Sequence, residues 1–147
     1  MRGVVPSFRA QAEQQATELL QAIGAAEGVI VSTIERECEA LRAGRMLAAN
    51  ALRIRLRDAA KLYLNVTRAA RASIWTIEQI LPGTKQDMEQ SRRTFAALLK
   101  IELAVLAAER AAVAGSQLQF GAAGWPRPVQ NVIPLRRRRR LRVRKTG

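Results

Sequence analysis

Few residues in this chain could do chemistry. Its 147 residues include no histidine and a single cysteine, Cys38. The commonest general base and metal ligand is therefore missing, and neither an intrachain disulfide nor an all-thiolate zinc site can form. No glycine-rich phosphate loop follows a strand-like run. The densest carboxylate group is Glu35-Arg-Glu-Cys-Glu39. On one helix Glu35 and Glu39 share a face while Glu37 points away, and no second cluster supplies the other half of a two-metal centre. The group reads as a solvated face, and Cys38, on the apolar stripe, as a small core residue. The expectation is a binding protein with no catalytic residue, no cofactor and no metal.

The elements that would position any binding residue are helical. Aromatic residues make up 4% of the chain, so the core must come from Leu, Ile, Val and Ala, a composition that favours long helices joined along narrow seams. From Ser7 to about Ala43 there is no proline. Leu20, Ile23, Glu27, Ile30, Ile34, Cys38 and Leu41 recur in steps of three and four, a coiled-coil type of seam with one charged interruption. Gly24 and Gly28, one turn apart, weaken this helix unless a neighbour approaches closely there. Gly44 marks a tight turn. A second stripe runs through Leu47, Ala51, Ile54, Leu62, Val66, Ala69, Ile74, Ile77 and Leu81. Leu81-Pro-Gly-Thr84 ends it, because proline removes a donor and glycine ends the turn. Thr84 can cap a third helix with Asp87 in its first turn. Met88, Phe95, Leu98, Leu99, Glu102, Val105, Leu106 and Val113 then give that helix its stripe up to Gly115.

The predicted fold is all-α: an elongated antiparallel bundle of three long helices (about 7–43, 45–80 and 84–114) forming a domain over 1–115. The sequence leaves open a short fourth helix near Val129 and self-association along an unfilled seam. Charge supports pairing of the first two helices. Six acidic residues against Arg36 lie between Gln11 and Leu41, and seven basic ones against Asp58 and Glu78 lie between Arg45 and Gln79.

The net charge of +13 is concentrated at one end. Eight positive charges fall in the last twelve residues, five of them the run Arg136, Arg137, Arg138, Arg139 and Arg140, while residues 1–135 carry about +5. Residues 116–147 are rich in Gly and Pro and predict a mostly disordered tail. Yet Leu118, Phe120, Trp125, Val132, Ile133 and Leu135 are apolar anchors that such a segment cannot bury internally, the pattern of a linear binding motif. The N-terminal residues carry no apolar run of signal-peptide length and no segment is apolar enough to span a membrane, which points to the cytoplasm. Asn65-Val-Thr67 matches a glycosylation pattern and is read as chance.

The order of these features resembles the FlgN-type flagellar export chaperones. Glu37-Cys-Glu-Ala-Leu-Arg-Ala-Gly44 is similar to that family's acidic turn. Lys61-Leu-Tyr63 resembles its lysine-bearing second helix, and Leu98-Leu-Lys-Ile-Glu-Leu-Ala-Val-Leu-Ala-Ala-Glu-Arg110 its late helix. Phe120-Gly-Ala-Ala-Gly124 resembles its Tyr-Gly-x-x-Gly element. Phe120 stands where tyrosine is usual, Ile101 and Glu102 where asparagine is, and the arginine run is more basic than the family requires. The resemblance implies a cytoplasmic chaperone without ATPase activity. It would hold hook-associated proteins by their terminal helix, keep them unassembled and deliver them to the export gate. Cargo would lie on Phe95, Leu98, Leu99, Leu103 and Leu106, and Phe120, Gly121 and Gly124 would meet the gate component. The alternative is a nucleic-acid-binding or anionic-membrane-associated protein using its arginine tail, and such binding would be non-specific and steeply salt-dependent.

Overall fold

The computed structural model describes residues 7–124, with side-chain surroundings described as far as residue 116. Among the described residues there are three α-helices and no strand: α1 (Phe8–Arg42), α2 (Met46–Ile80) and α3 (Thr84–Gly124). None of the helices is long and apolar enough to cross a membrane. The Val129 region, Trp125 and the arginine run lie outside the described residues. The chain divides into two compact units, Met1–Glu109 and Arg110–Gly147. The described part of the second unit, Arg110–Gly124, is helical throughout.

The helix ends have local causes. Ser7 caps α1, its Oγ accepting from the Ala10 amide at 3.2 Å. At the other end Gly44 takes φ +71°. The Arg45 amide donates to the Ala40 carbonyl at 2.8 Å and the Gly44 amide to the Leu41 carbonyl at 3.1 Å. This is the six-to-one and five-to-two pattern that a left-handed glycine makes available. Three residues between helices force α2 to run back along α1. Gly83, at φ +98° behind Pro82, makes the second reversal.

The cap of α3 differs from the expected one. The Thr84 hydroxyl donates to the Leu81 carbonyl at 2.8 Å. The Glu78 carboxylate, on the last turns of α2, does the capping: Oε1 accepts from the Gly83 amide at 3.0 Å and Oε2 from the Lys85 amide at 2.8 Å. These two backbone bonds hold the Glu78 carboxyl below its ordinary range. One side chain thus joins two helices across the turn. A second correction concerns the end of α3, which continues past Gly115 to Gly124. A mid-helix glycine costs only about 1 kcal/mol, and the surrounding alanines with no proline before Pro126 allow the helix to continue.

Inside the first unit, α1 turns Ala12, Ala26, Ile30, Ile34, Cys38 and Leu41 inward. The stripe expected at the start of α2 is reversed. Leu47 is 87% exposed and Ile54 is also exposed, whereas Ala49, Leu52 and Ala59 are buried. Two apolar rows with the same spacing compete there. The inward one is built largely from alanines, which let the α1 and α2 backbones approach. Leu62 and Ala69 of the expected stripe are exposed as well, with Ala70 buried instead, and only towards the end of α2 are Ile74 and Ile77 buried as the spacing predicts. From α3, Phe95 and Leu106 enter the core, and Phe95 meets Tyr63 of α2 with ring centres 5.2 Å apart at a 50° tilt.

The seam also holds acids. Glu37 is 0% exposed, which corrects its reading as part of a solvated face; Glu35 and Glu39 are exposed. Its spacing from Ile30, Ile34 and Leu41 puts it on the inner face, and Arg53 of α2 reaches it with Nε 3.7 Å from Oε1. Glu27, the expected interruption, is half-buried, and its Oε1 has no hydrogen-bond partner. Burial pushes its carboxyl above the ordinary value. Arg42 ties the end of α1 to α3 through a 2.7 Å contact with Glu109.

Candidate binding surface

Among the described residues, the bundle leaves one apolar row of α3 uncovered. Phe95 and Leu106 are buried and define the inward face, with Leu99 half-buried. Leu98, Ile101 and Val105 follow at i, i+3 and i+7 on a neighbouring flank, and all three are exposed, Ile101 by 62%. The start of this row adjoins α1: Leu98, Phe95, Thr94 and Ser91 border a shallow recess with Glu27. Leu103 is exposed too, on the opposite flank.

These positions divide the residues expected to hold a partner. Leu98 and Leu103 lie at the surface. Phe95 and Leu106 are corrected to core residues, since each loses almost all its surface to this chain's own packing and cannot touch a partner while the bundle is closed. Leu99 lies between these cases. The row gains Ile101 and Val105. The signal for both was present, because once Phe95 and Leu106 are fixed as inward, a column of large aliphatics one step round the helix must face out. Phe120, Gly121 and Gly124 belong to α3 by backbone, and no side-chain environment is described for Phe120. Arg136 to Arg140 lie outside the described residues.

A second concave feature lies where α2 and α3 approach their shared turn. It is a cleft of about 520 Å³ with Leu20 and Ile23 of α1, Ile74 of α2 and Met88 of α3 among its lining residues. Arg68 and Arg71 line it from α2, and Lys85 and Arg92 from α3. The Lys85 ammonium sits 5.5 Å from the ring centre of Trp75, which is 70% exposed. Sequence periodicity had no means of assembling this cleft, because its cations come from two helices whose register depends on the turn.

Neither feature brings reactive groups together. Among the described residues no three His, Cys, Asp or Glu side chains are placed to hold a metal ion. Cys38 is buried, and burial raises its thiol above the ordinary value, so it stays protonated and unreactive at neutral pH. A methyl group added at Gly24 or Gly28 would meet nothing within 4 Å, so no helix among the described residues uses these glycines for close approach. Comparison with protein-family models, with curated proteins and with solved structures finds no match to the chain.

Proposed function

We propose that this chain is a helix-binding escort of the flagellar export-chaperone type, which holds the amphipathic terminal helix of a hook-associated protein and keeps it unassembled until delivery. The observation that carries the reading is the row Leu98, Ile101 and Val105, large aliphatics at helical spacing left exposed beside a filled core. A partner helix laid along that row would bury the apolar stripe through which its own protein assembles. The recess bordered by Leu98 and Glu27 gives one of the partner's side chains a seat. Phe120, Gly121 and Gly124 would then meet a second partner at the export gate. No step in this mechanism needs a catalytic group.

The test is capture of hook-associated proteins by the full chain, compared with a Leu98→Asp/Val105→Asp variant. The positions are exposed, so the variant keeps its helix content, and it should lose the client. Failure of the unaltered chain to capture any such protein sinks the reading. Equal capture by both forms removes the α3 row from it.

A further inference from the structure

The cleft between α2 and α3 has a chemistry that neither the core nor the α3 row explains. Its cations come from two facing helices, and only Glu89 opposes them among the lining residues. Arg68, Arg71 and Arg92 make no ion pair among the described residues, while Arg9, Arg42 and Arg53 elsewhere each find a carboxylate. Like charges gathered at an apolar concavity repel one another and focus a positive potential into it. The lining below them is apolar, and Trp75 stands at the edge with most of its surface in solvent.

We infer that this cleft docks an acidic segment of a partner protein, one that carries an apolar side chain between carboxylates. The apolar residue enters over Leu20, Ile74 and Met88, where about 520 Å³ is room for one or two large side chains. The carboxylates meet Arg68, Arg71 and Arg92, whose planar guanidiniums suit two-point contacts. Trp75 closes over the seat as the kind of aromatic anchor that dominates small interfaces. The chain's own arginine run carries charge of the same sign and lacks the carboxylates this cleft calls for. A nucleic acid would satisfy the cations but leave the apolar lining uncovered, so a peptide is the better match. The site adjoins the recess at the start of the Leu98 row, with Ser91 bordering both, but its cations and apolar lining are its own, and it does not depend on the client proposed above.

The experiment titrates the full chain with a labelled peptide of about 16 residues bearing glutamates around two leucines one turn apart. Three comparison probes are a lysine-for-glutamate version, a serine-for-leucine version and an oligothymidylate of equal charge. Saturable binding with a change in Trp75 emission is expected, absent in a Trp75→Phe variant. The serine version should bind about tenfold more weakly or worse, equivalent to about 1.4 kcal/mol. Arg71→Gln/Arg92→Gln should weaken the glutamate peptide by a similar factor, with partial recovery in Arg71→Lys/Arg92→Lys. Replacing Arg136–Arg140 by glutamine should leave the Trp75 response intact. The inference is overturned if affinity follows the C-terminal arginines instead of the cleft. It is also overturned if the oligothymidylate binds the cleft more tightly than the peptide. A third refuting result is self-association of the chain that the cleft variants abolish, which would make a second copy the occupant.

Discussion

Glu27→Gln should stabilise the bundle at neutral pH, and the gain should disappear in acid. Glu27 occupies a seam position between Ile23 and Ile30, and one carboxylate oxygen is buried without a hydrogen bond. Burial raises its folded-state pKa above the ordinary carboxylate value. The sign follows from linkage: a raised pKa means that the folded state binds the proton more tightly than the unfolded chain does. The penalty is thus fully present above the folded pKa and fades as pH falls through it toward the unfolded value near 4.5. The amide keeps the shape and leaves a polar oxygen in place, so the gain is only the extra cost of holding a charged group there; with Glu27 partly solvated, that difference is about 1 kcal/mol. For a unit of this size that is a rise of about 4 °C in Tm. Denaturant unfolding of both forms at pH 7 and pH 4 measures it. A variant that is less stable at pH 7, or a gap that stays the same at pH 4, would refute the placement of Glu27 as an uncompensated buried acid.

Other consequences are equally direct. Gly24→Ala and Gly28→Ala should each add about 0.5–1 kcal/mol in denaturant unfolding, because the added methyl meets open space and the helix loses a weak point; a loss at either position would reveal a contact the bundle does not account for. Glu78→Gln should loosen the α2–α3 turn, visible as faster amide exchange at Gly83 and Lys85. The lowered folded pKa of Glu78 means that its contribution is present above the unfolded value and is lost as pH falls through the folded one. The unaltered chain should therefore lose stability in acid at a step that the variant lacks.

Much of the architecture was legible because punctuation is local. Ser7, Gly44 and the Pro82-Gly83 pair each act on their own backbone, and all three reversals or starts fall where the sequence puts them. The inward face of early α2 was not legible: Leu47-Ala51-Ile54 and Ala49-Leu52-Ala59 are equally periodic, and only packing against α1 selects the row with more alanine. Glu37 escapes a reading from sequence for a related reason, since its neighbours Glu35 and Glu39 are solvated and its partner Arg53 is sixteen residues away on another helix. The Glu78 cap shows the same limit, as an acid near a helix C-terminus looks unfavourable until the next helix presents its amides. On α3, spacing marked the apolar stretch, while the split between Phe95 and Leu106 inside and Leu98 outside required the third dimension.

The central claim is that the Leu98, Ile101 and Val105 row seats a client's helix. The most direct measurement is site-specific crosslinking from Ile101 in the full chain, with hook-associated proteins present one at a time. Crosslinks to the terminal helix of one of them, lost on Leu98→Asp/Val105→Asp without change in helix content, are the predicted result. Crosslinks to no such protein, or crosslinks that persist in that variant, would contradict it.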